Sequence, residues 1–163
     1  MLPKAAAHPA EVAANIITMK TQQADNYREA VIALLAAEKL PTDDLPKTLE
    51  NFVVTTQEED LTGVIGLELY GDYALLRSLA VNKNYRNQGI AGKLLQQVEE
   101  LATSKGIKAI YLLTETAPAY FSSKGYDTIT RTDVPAKVQQ SSEFSYVCPQ
   151  SAIVMQKLLN QVL

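Results

Sequence analysis

The sequence has no tryptophan, a single cysteine (Cys148) and a single histidine (His8). One cysteine permits no intrachain disulfide and no thiolate metal cluster. One histidine, placed in the N-terminal tail, excludes His-based triads and most zinc sites, so no bound metal is expected. Long apolar runs are lacking too. The longest, Ala30 to Ala37, has eight residues, against the roughly 20 needed to span a bilayer. The opening Met1-Leu-Pro-Lys-Ala-Ala-Ala-His-Pro carries no apolar core of a secretory signal. Nor is there a basic excess. Fifteen Lys and Arg against 18 Asp and Glu leave a net charge of −3, which argues against broad binding to nucleic acid or anionic membrane. These absences favour a cytoplasmic enzyme or binding domain.

What is present is globular. An apolar fraction of 47% rules out disorder as the main state, and 163 residues make about one domain. We expect a flexible arm over 1–14 and one domain over 15–163. Asn15-Ile-Ile-Thr-Met reads as a strand, Asp25 to Glu38 as a helix, and Thr42-Asp43-Asp44 as the cap of a second short helix. Phe52 to Thr56 is a strand. Leu61–Tyr70 and Tyr73–Val81 follow as a hairpin around Gly71-Asp72. Gly89 to Lys105 is amphipathic, with Ile90, Leu94, Leu95, Val98, Leu101 and Ala102 on one face and Gly106 closing it. Lys108–Thr114 reads as a strand buried on both faces, Pro118–Lys124 as a short helix, and Tyr126–Thr130 and Ala152–Lys157 as final strands. This order predicts an α/β (α+β) fold, a mixed sheet with helices packed on it.

The chemistry concentrates between Leu79 and Leu95. A strand runs into the polar loop Asn82–Gln88, and the loop into a helix that begins Gly89-Ile90-Ala91-Gly92. The first turn of a helix presents unpaired N–H groups and the positive end of its dipole. Small residues at 89, 91 and 92 let a diphosphate approach the backbone, and Arg86 adds a charged contact. A Walker loop fails, because Asn87 and Leu94 stand where Gly and Ser/Thr are required. The dinucleotide pattern fails as well, since Ala91 and Leu94 replace its second and third glycines.

Arg86-x-x-Gly89-x-Ala91, the strand before it and Tyr120-Phe-Ser-Ser-Lys-Gly-Tyr126 after it resemble the acyl-CoA loop of the GNAT N-acetyltransferase superfamily. The resemblance covers about Asn15 to Lys157. It implies a mixed central sheet whose two parallel strands splay to admit pantetheine. It also implies acetyl-CoA as cosubstrate and a small-molecule amine as acceptor, and homodimers are common in the superfamily. Carried over by motif, the backbone of Leu79, Ala80 and Val81 pairs with pantetheine. Arg86, Asn87, Gln88, Gly89, Ile90, Ala91 and Gly92 wrap the pyrophosphate. A narrower set of blocks, including Leu40-Pro-Thr-Asp-Asp-Leu, Ala74-Leu-Leu-Arg-Ser-Leu-Ala-Val, Tyr111-Leu-Leu-Thr-Glu-Thr and Cys148-Pro-Gln-Ser-Ala, is similar to the arsenic-resistance branch of the superfamily. Related enzymes there acetylate glutamate-like antibiotics such as phosphinothricin and its arsenic analogue.

Hairpin geometry bears on the acceptor. With Gly71-Asp72 as the turn, paired positions sum to 143. Glu68 then faces Leu75, and Arg77 lies diagonally from Glu68 on the same face, with Ser78 on the other. Charges at mid-strand are costly unless paired or used. One reading is a structural ion pair. The other is a clamp, with Glu68 at the acceptor ammonium as general base and Arg77 at its acidic group. A backbone N–H of 79–81 is expected to stabilise the oxyanion. Many members of the superfamily place a tyrosine where Phe121 stands, to protonate the departing CoA thiolate. Tyr120 is the neighbouring candidate, although it points about 100° away on a helix. Cys148 reads as a small buried apolar residue or a substrate contact, with Glu143 and Thr114 ranked behind it. Two other readings stay open: an acyl-CoA-binding module without turnover, and a protein N-acetyltransferase.

Overall fold

A computed structural model describes residues 20–147 and 150–159. The expected arm over 1–14, the strand at 15–19 and Cys148 lie outside the described residues. The strands are β1 (Lys20–Gln23), β2 (Phe52–Gln57), β3 (Asp60–Tyr70), β4 (Tyr73–Val81), β5 (Ala109–Thr114), β6 (Asp127–Ile129) and β7 (Ile153–Leu158). The helices are α1 (Arg28–Ala37), α2 (Ile90–Ser104), α3 (Pro118–Ser123) and α4 (Ala136–Gln139), with a wide π turn at Glu143–Val147. The seven strands form one sheet in the order β1-β2-β3-β4-β5-β7-β6. All neighbours are antiparallel except β4 and β5, which run parallel. The mixed sheet flanked by helices is the expected fold. Among the described residues no helix is long and apolar enough to cross a membrane.

The hairpin follows the expected register as far as Gly66↔Arg77, with Tyr70 opposite Tyr73 and Glu68 opposite Leu75. Beyond it Val64 faces Ala80, so one extra residue has entered β4. That residue is Ser78, whose φ of +63° is left-handed, a conformation strained for a residue with a Cβ. The bulge inverts the alternation of the strand. Before it, Ala74 and Leu76 pack beneath α2; after it, Leu79 and Val81 do so, while Ala80 turns to the α1 side. The expectation that Ser78 faces away from Arg77 is corrected here, because simple alternation does not survive a bulge. Ser78 Oγ instead accepts a hydrogen bond from Arg77 Nε at 3.0 Å.

Helix α2 forms where its apolar spacing predicts. Ile90, Leu94, Leu95, Val98 and Ala102 are buried against the sheet, each large side chain contributing roughly 1.5–3 kcal/mol. The other face of the sheet carries α1, through Val31, Leu34 and Leu35, and α4 with the π turn, through Val138 and Phe144. The short helix expected after Thr42 is absent. Residues 42–45 make a turn closed by Leu45 N–H to the Thr42 carbonyl at 3.4 Å. Pro46 disfavours a helical residue before it, and the Asp44 carboxylate serves Arg77 rather than a helix N-terminus.

Candidate active site

Strands β4 and β5 pair over only three positions, Tyr73↔Ala109, Ala74↔Ile110 and Leu75↔Tyr111. Past Leu75 the ladder stops, because the Ser78 bulge steers β4 away from its parallel neighbour. Backbone groups of both strands there face a cleft of about 810 Å³. Its walls are Leu76 to Val81 of β4 and Leu112 to Thr114 of β5. Leu79, Ala80 and Val81, proposed from sequence to meet pantetheine, all line it.

At the mouth a second hollow of about 440 Å³ lies over the start of α2. It is lined by Arg86, Asn87, Gly89, Ile90, Ala91 and Gly92, and shares Val81, Arg86, Ala91 and Tyr120 with the cleft. Gln88, grouped with them by sequence, does not line it. Asn87 and Gly89 are both left-handed, at φ +63° and +78°. Such turns direct successive N–H groups into one concavity that suits an anion. Arg86 is half-exposed and paired with Glu38 at the end of α1. Lys124, which sequence reasoning missed, adds a second cation: its Nζ lies 3.7 Å from the position a Cβ would take at Gly92. The signal was the Lys of Tyr120-Phe-Ser-Ser-Lys.

Tyr120 and Phe121 divide their roles as adjacent helical positions must. Phe121 is 6% exposed and stacks edge-on against Tyr126, with ring centroids 5.7 Å apart. The Tyr120 hydroxyl is buried without a hydrogen-bond partner, in a residue lining both hollows. Burial, with Glu99 nearby, pushes its pKa up and keeps the phenol protonated. An orphaned buried hydroxyl costs about 1–3 kcal/mol, which is tolerable where a ligand completes it.

Arg77 anchors the opposite end of the cleft. Its side chain is wholly buried. It grips Asp44 with two bonds of 2.8 and 2.9 Å, donates to Glu68 Oε2 at 2.5 Å, and lies 3.9 Å from Glu143. Ser142 donates to Asp44 at 2.7 Å, and Tyr70 donates to Glu68. Burial would raise the Asp44 pKa, but hydrogen bonds from Arg77 and Ser142 outweigh it and hold the carboxyl below its ordinary range. Burial alone would lower the Arg77 pKa. Asp44, Glu143 and Glu68 together raise it. Glu143 behaves oppositely to Asp44. Burial, reinforced by Asp44 and Glu68 and only partly offset by Arg77, pushes its carboxyl up to about 7.

The expected Glu68–Arg77 contact is therefore present, but the two residues face different spaces. Arg77, Glu143 and Thr114 line the cleft. Glu68 lines a separate depression of about 510 Å³ with Asp44, Tyr70 and Ser142. The Arg77 guanidinium is already paired with Asp44 and Glu68, with Glu143 nearby.

The model of the acetyltransferase (GNAT) family matches residues 19–125, most of the sheet together with α1, α2 and α3. The chain belongs to the GNAT acetyltransferase family. An uncharacterized N-acetyltransferase of Chlorobaculum tepidum is 26% identical over 101 residues, 61% of this chain and 64% of that protein. An amino-acid acetyltransferase of Pseudomonas fluorescens is 29% identical over 94 residues, 56% of this chain but 22% of its own length. Among solved structures, the N-acetylglutamate synthase of Neisseria gonorrhoeae complexed with coenzyme A and L-arginine superposes with a TM-score of 0.76 at 17% identity. That match covers 88% of this chain and 34% of the synthase, and at this identity it establishes the GNAT fold alone. The chain thus spans under two thirds of these curated relatives, and about a fifth of the Pseudomonas enzyme.

Proposed function

We propose that this GNAT protein is an acetyl-CoA-dependent N-acetyltransferase acting on the amine of a small amino-acid-like acceptor, with residues 15–163 working as one domain. The observation that carries the reading is the gap between β4 and β5, continuous with a cationic hollow at the start of α2 and lined by Tyr120, whose buried hydroxyl has no hydrogen-bond partner. The residues present fit the cosubstrate. Arg86, Lys124 and the N–H groups at 87–92 suit a diphosphate, and the unpaired edge at Leu79–Val81 suits the amides of pantetheine. When bound, acetyl-CoA supplies the acetyl group as an activated thioester. Tyr120 then protonates the departing sulfur, and a backbone N–H of 79–81 stabilises the developing oxyanion, a contact worth about 3 kcal/mol.

Amino-acid acceptors are supported by the relatives named amino-acid acetyltransferases and by the charged end of the cleft around Arg77. There Glu68 and Asp44 position Arg77, which shapes the acceptor end. The blocks similar to the arsenic-resistance branch support a detoxifying role toward phosphinothricin- or arsinothricin-like compounds. The test is thiol release from acetyl-CoA across a panel of amino acids, phosphinothricin and N-terminal peptides. Acceptor-dependent turnover with the amino-acid-like amines is expected. Turnover confined to peptides would make it a protein acetyltransferase. Tight CoA binding without turnover would make it a binding module.

A further inference from the structure

Three carboxylates, of Asp44, Glu68 and Glu143, surround Arg77, and only that of Glu143 belongs to a residue lining the cleft. Glu143, on the π turn before β7, lines the cleft and is 6% exposed. Glu68 faces the depression behind and is bonded to both Tyr70 and Arg77. Glu143 meets Arg77 Nε at 3.9 Å, an ion-pair separation longer than a hydrogen bond. Arg77 attracts that carboxylate electrostatically, yet the hydrogen bonds of the guanidinium to carboxylates go to Asp44 and Glu68. Resting on the acetyltransferase reading above, we propose that Glu143 is the general base, accepting the proton of the acceptor's ammonium group at the cleft wall.

Charge supports the assignment. The groups facing Glu143 are Arg77 from β4, Asp44 from the turn after α1, and Glu68 from β3 with Tyr70 behind it. Three carboxylates surround one guanidinium, so an arriving cation is favoured there. Burial has tuned Glu143 toward neutrality, which suits a residue that must take a proton from an ammonium near neutral pH. The step balances. Glu143 takes one proton, and the freed nitrogen lone pair forms the N–C bond as the C–S bond breaks. Tyr120 gives its proton to sulfur and regains one from the acylated nitrogen. Glu143 returns its own proton to solvent.

The experiment compares wild-type protein with Glu143→Gln on three nucleophiles. Phosphinothricin and L-glutamate present ammonium groups, whereas hydroxylamine is largely neutral near pH 7 and needs no base. Glu143→Gln should lower kcat/KM for the ammonium acceptors by about 10²–10⁴-fold. The ratio of ammonium to hydroxylamine rates should fall at least about tenfold. In wild-type protein, kcat/KM for the ammonium acceptors should rise through about pH 7 as Glu143 ionises, a limb missing with hydroxylamine, and this holds whether or not the variant folds. CoA affinity by calorimetry, free of any turnover, should be the same in both proteins. A fall shared equally by all three nucleophiles would assign Glu143 a structural role and overturn the proposal. So would an ammonium profile flat through pH 7. Wild-type protein that binds CoA yet acetylates none of the three would overturn the acetyltransferase reading itself, and the base with it.

Discussion

Glu143 makes a prediction in the folded protein that is separate from any turnover. Its carboxyl is buried and sits at about 7, against 4.5 for an ordinary glutamate. In the unfolded chain it ionises at its ordinary value. Between those two pH values the folded state binds a proton that the unfolded state has lost, so stability falls as pH rises. At about 1.4 kcal/mol per pH decade, the interval amounts to about 3 kcal/mol, constant above pH 7 and absent below 4.5. Asp44 does not interfere. Its carboxyl is held below 3.8, so its stabilising contribution is intact across this window and fades only as pH falls through that lower range. Glu143→Gln removes the titration while keeping volume. The variant should match wild type at about pH 4.5 and exceed it by about 3 kcal/mol at about pH 8, or roughly 6–12 °C in Tm for a chain of this size. Urea melts at several pH values, with an unchanged denaturant slope, read this directly. A difference that does not vary with pH, or a variant less stable at pH 8, would refute the burial argument. Stability gained where activity is lost is the signature of a group held at a site against its own solvation.

Arg77→Ala should destabilise by about 3–5 kcal/mol at neutral pH, since it strands Asp44 and Glu68 without their counter-charge; urea melts showing a loss under about 1 kcal/mol would disprove the network. Tyr120→Phe should stabilise the ligand-free protein by about 1–3 kcal/mol by removing an orphaned hydroxyl, while lowering kcat; equal kcat would dismiss the phenol as acid. Arg86→Ala should weaken CoA binding by about 1.5–3 kcal/mol, measured by calorimetry, with a smaller salt dependence than wild type; unaltered affinity would leave Arg86 merely as the partner of Glu38.

Much of the architecture was legible because it rests on local rules. The apolar spacing of α2 and its flanking Gly89 and Gly106 placed that helix to within a residue. Gly71-Asp72 set the hairpin register that puts Glu68 diagonal to Arg77. The strand-to-helix turn before α2 was legible for the same reason, since Gly89 and the polar run before it mark that turn within a few positions. The helix expected at Thr42 was misread because Asp44 is a good local cap, yet its carboxylate is claimed by an arginine distant in sequence.

Composition and motif therefore determined, without coordinates, a mixed sheet, the GNAT family likeness and the glycine-marked turn into α2, because periodicity and capping are properties of neighbouring residues. Tertiary structure alone decided the bulge at Ser78, and with it the inversion that turns Leu79 and Val81 beneath α2 and opens β4 from β5. It alone decided which of the carboxylates around Arg77 lines the cleft. Asp44, Glu68 and Glu143 are three acidic letters far apart in the chain. The opposite pKa shifts of Asp44 and Glu143 arise from burial and their contacts with one buried guanidinium, quantities that exist only once the chain has folded.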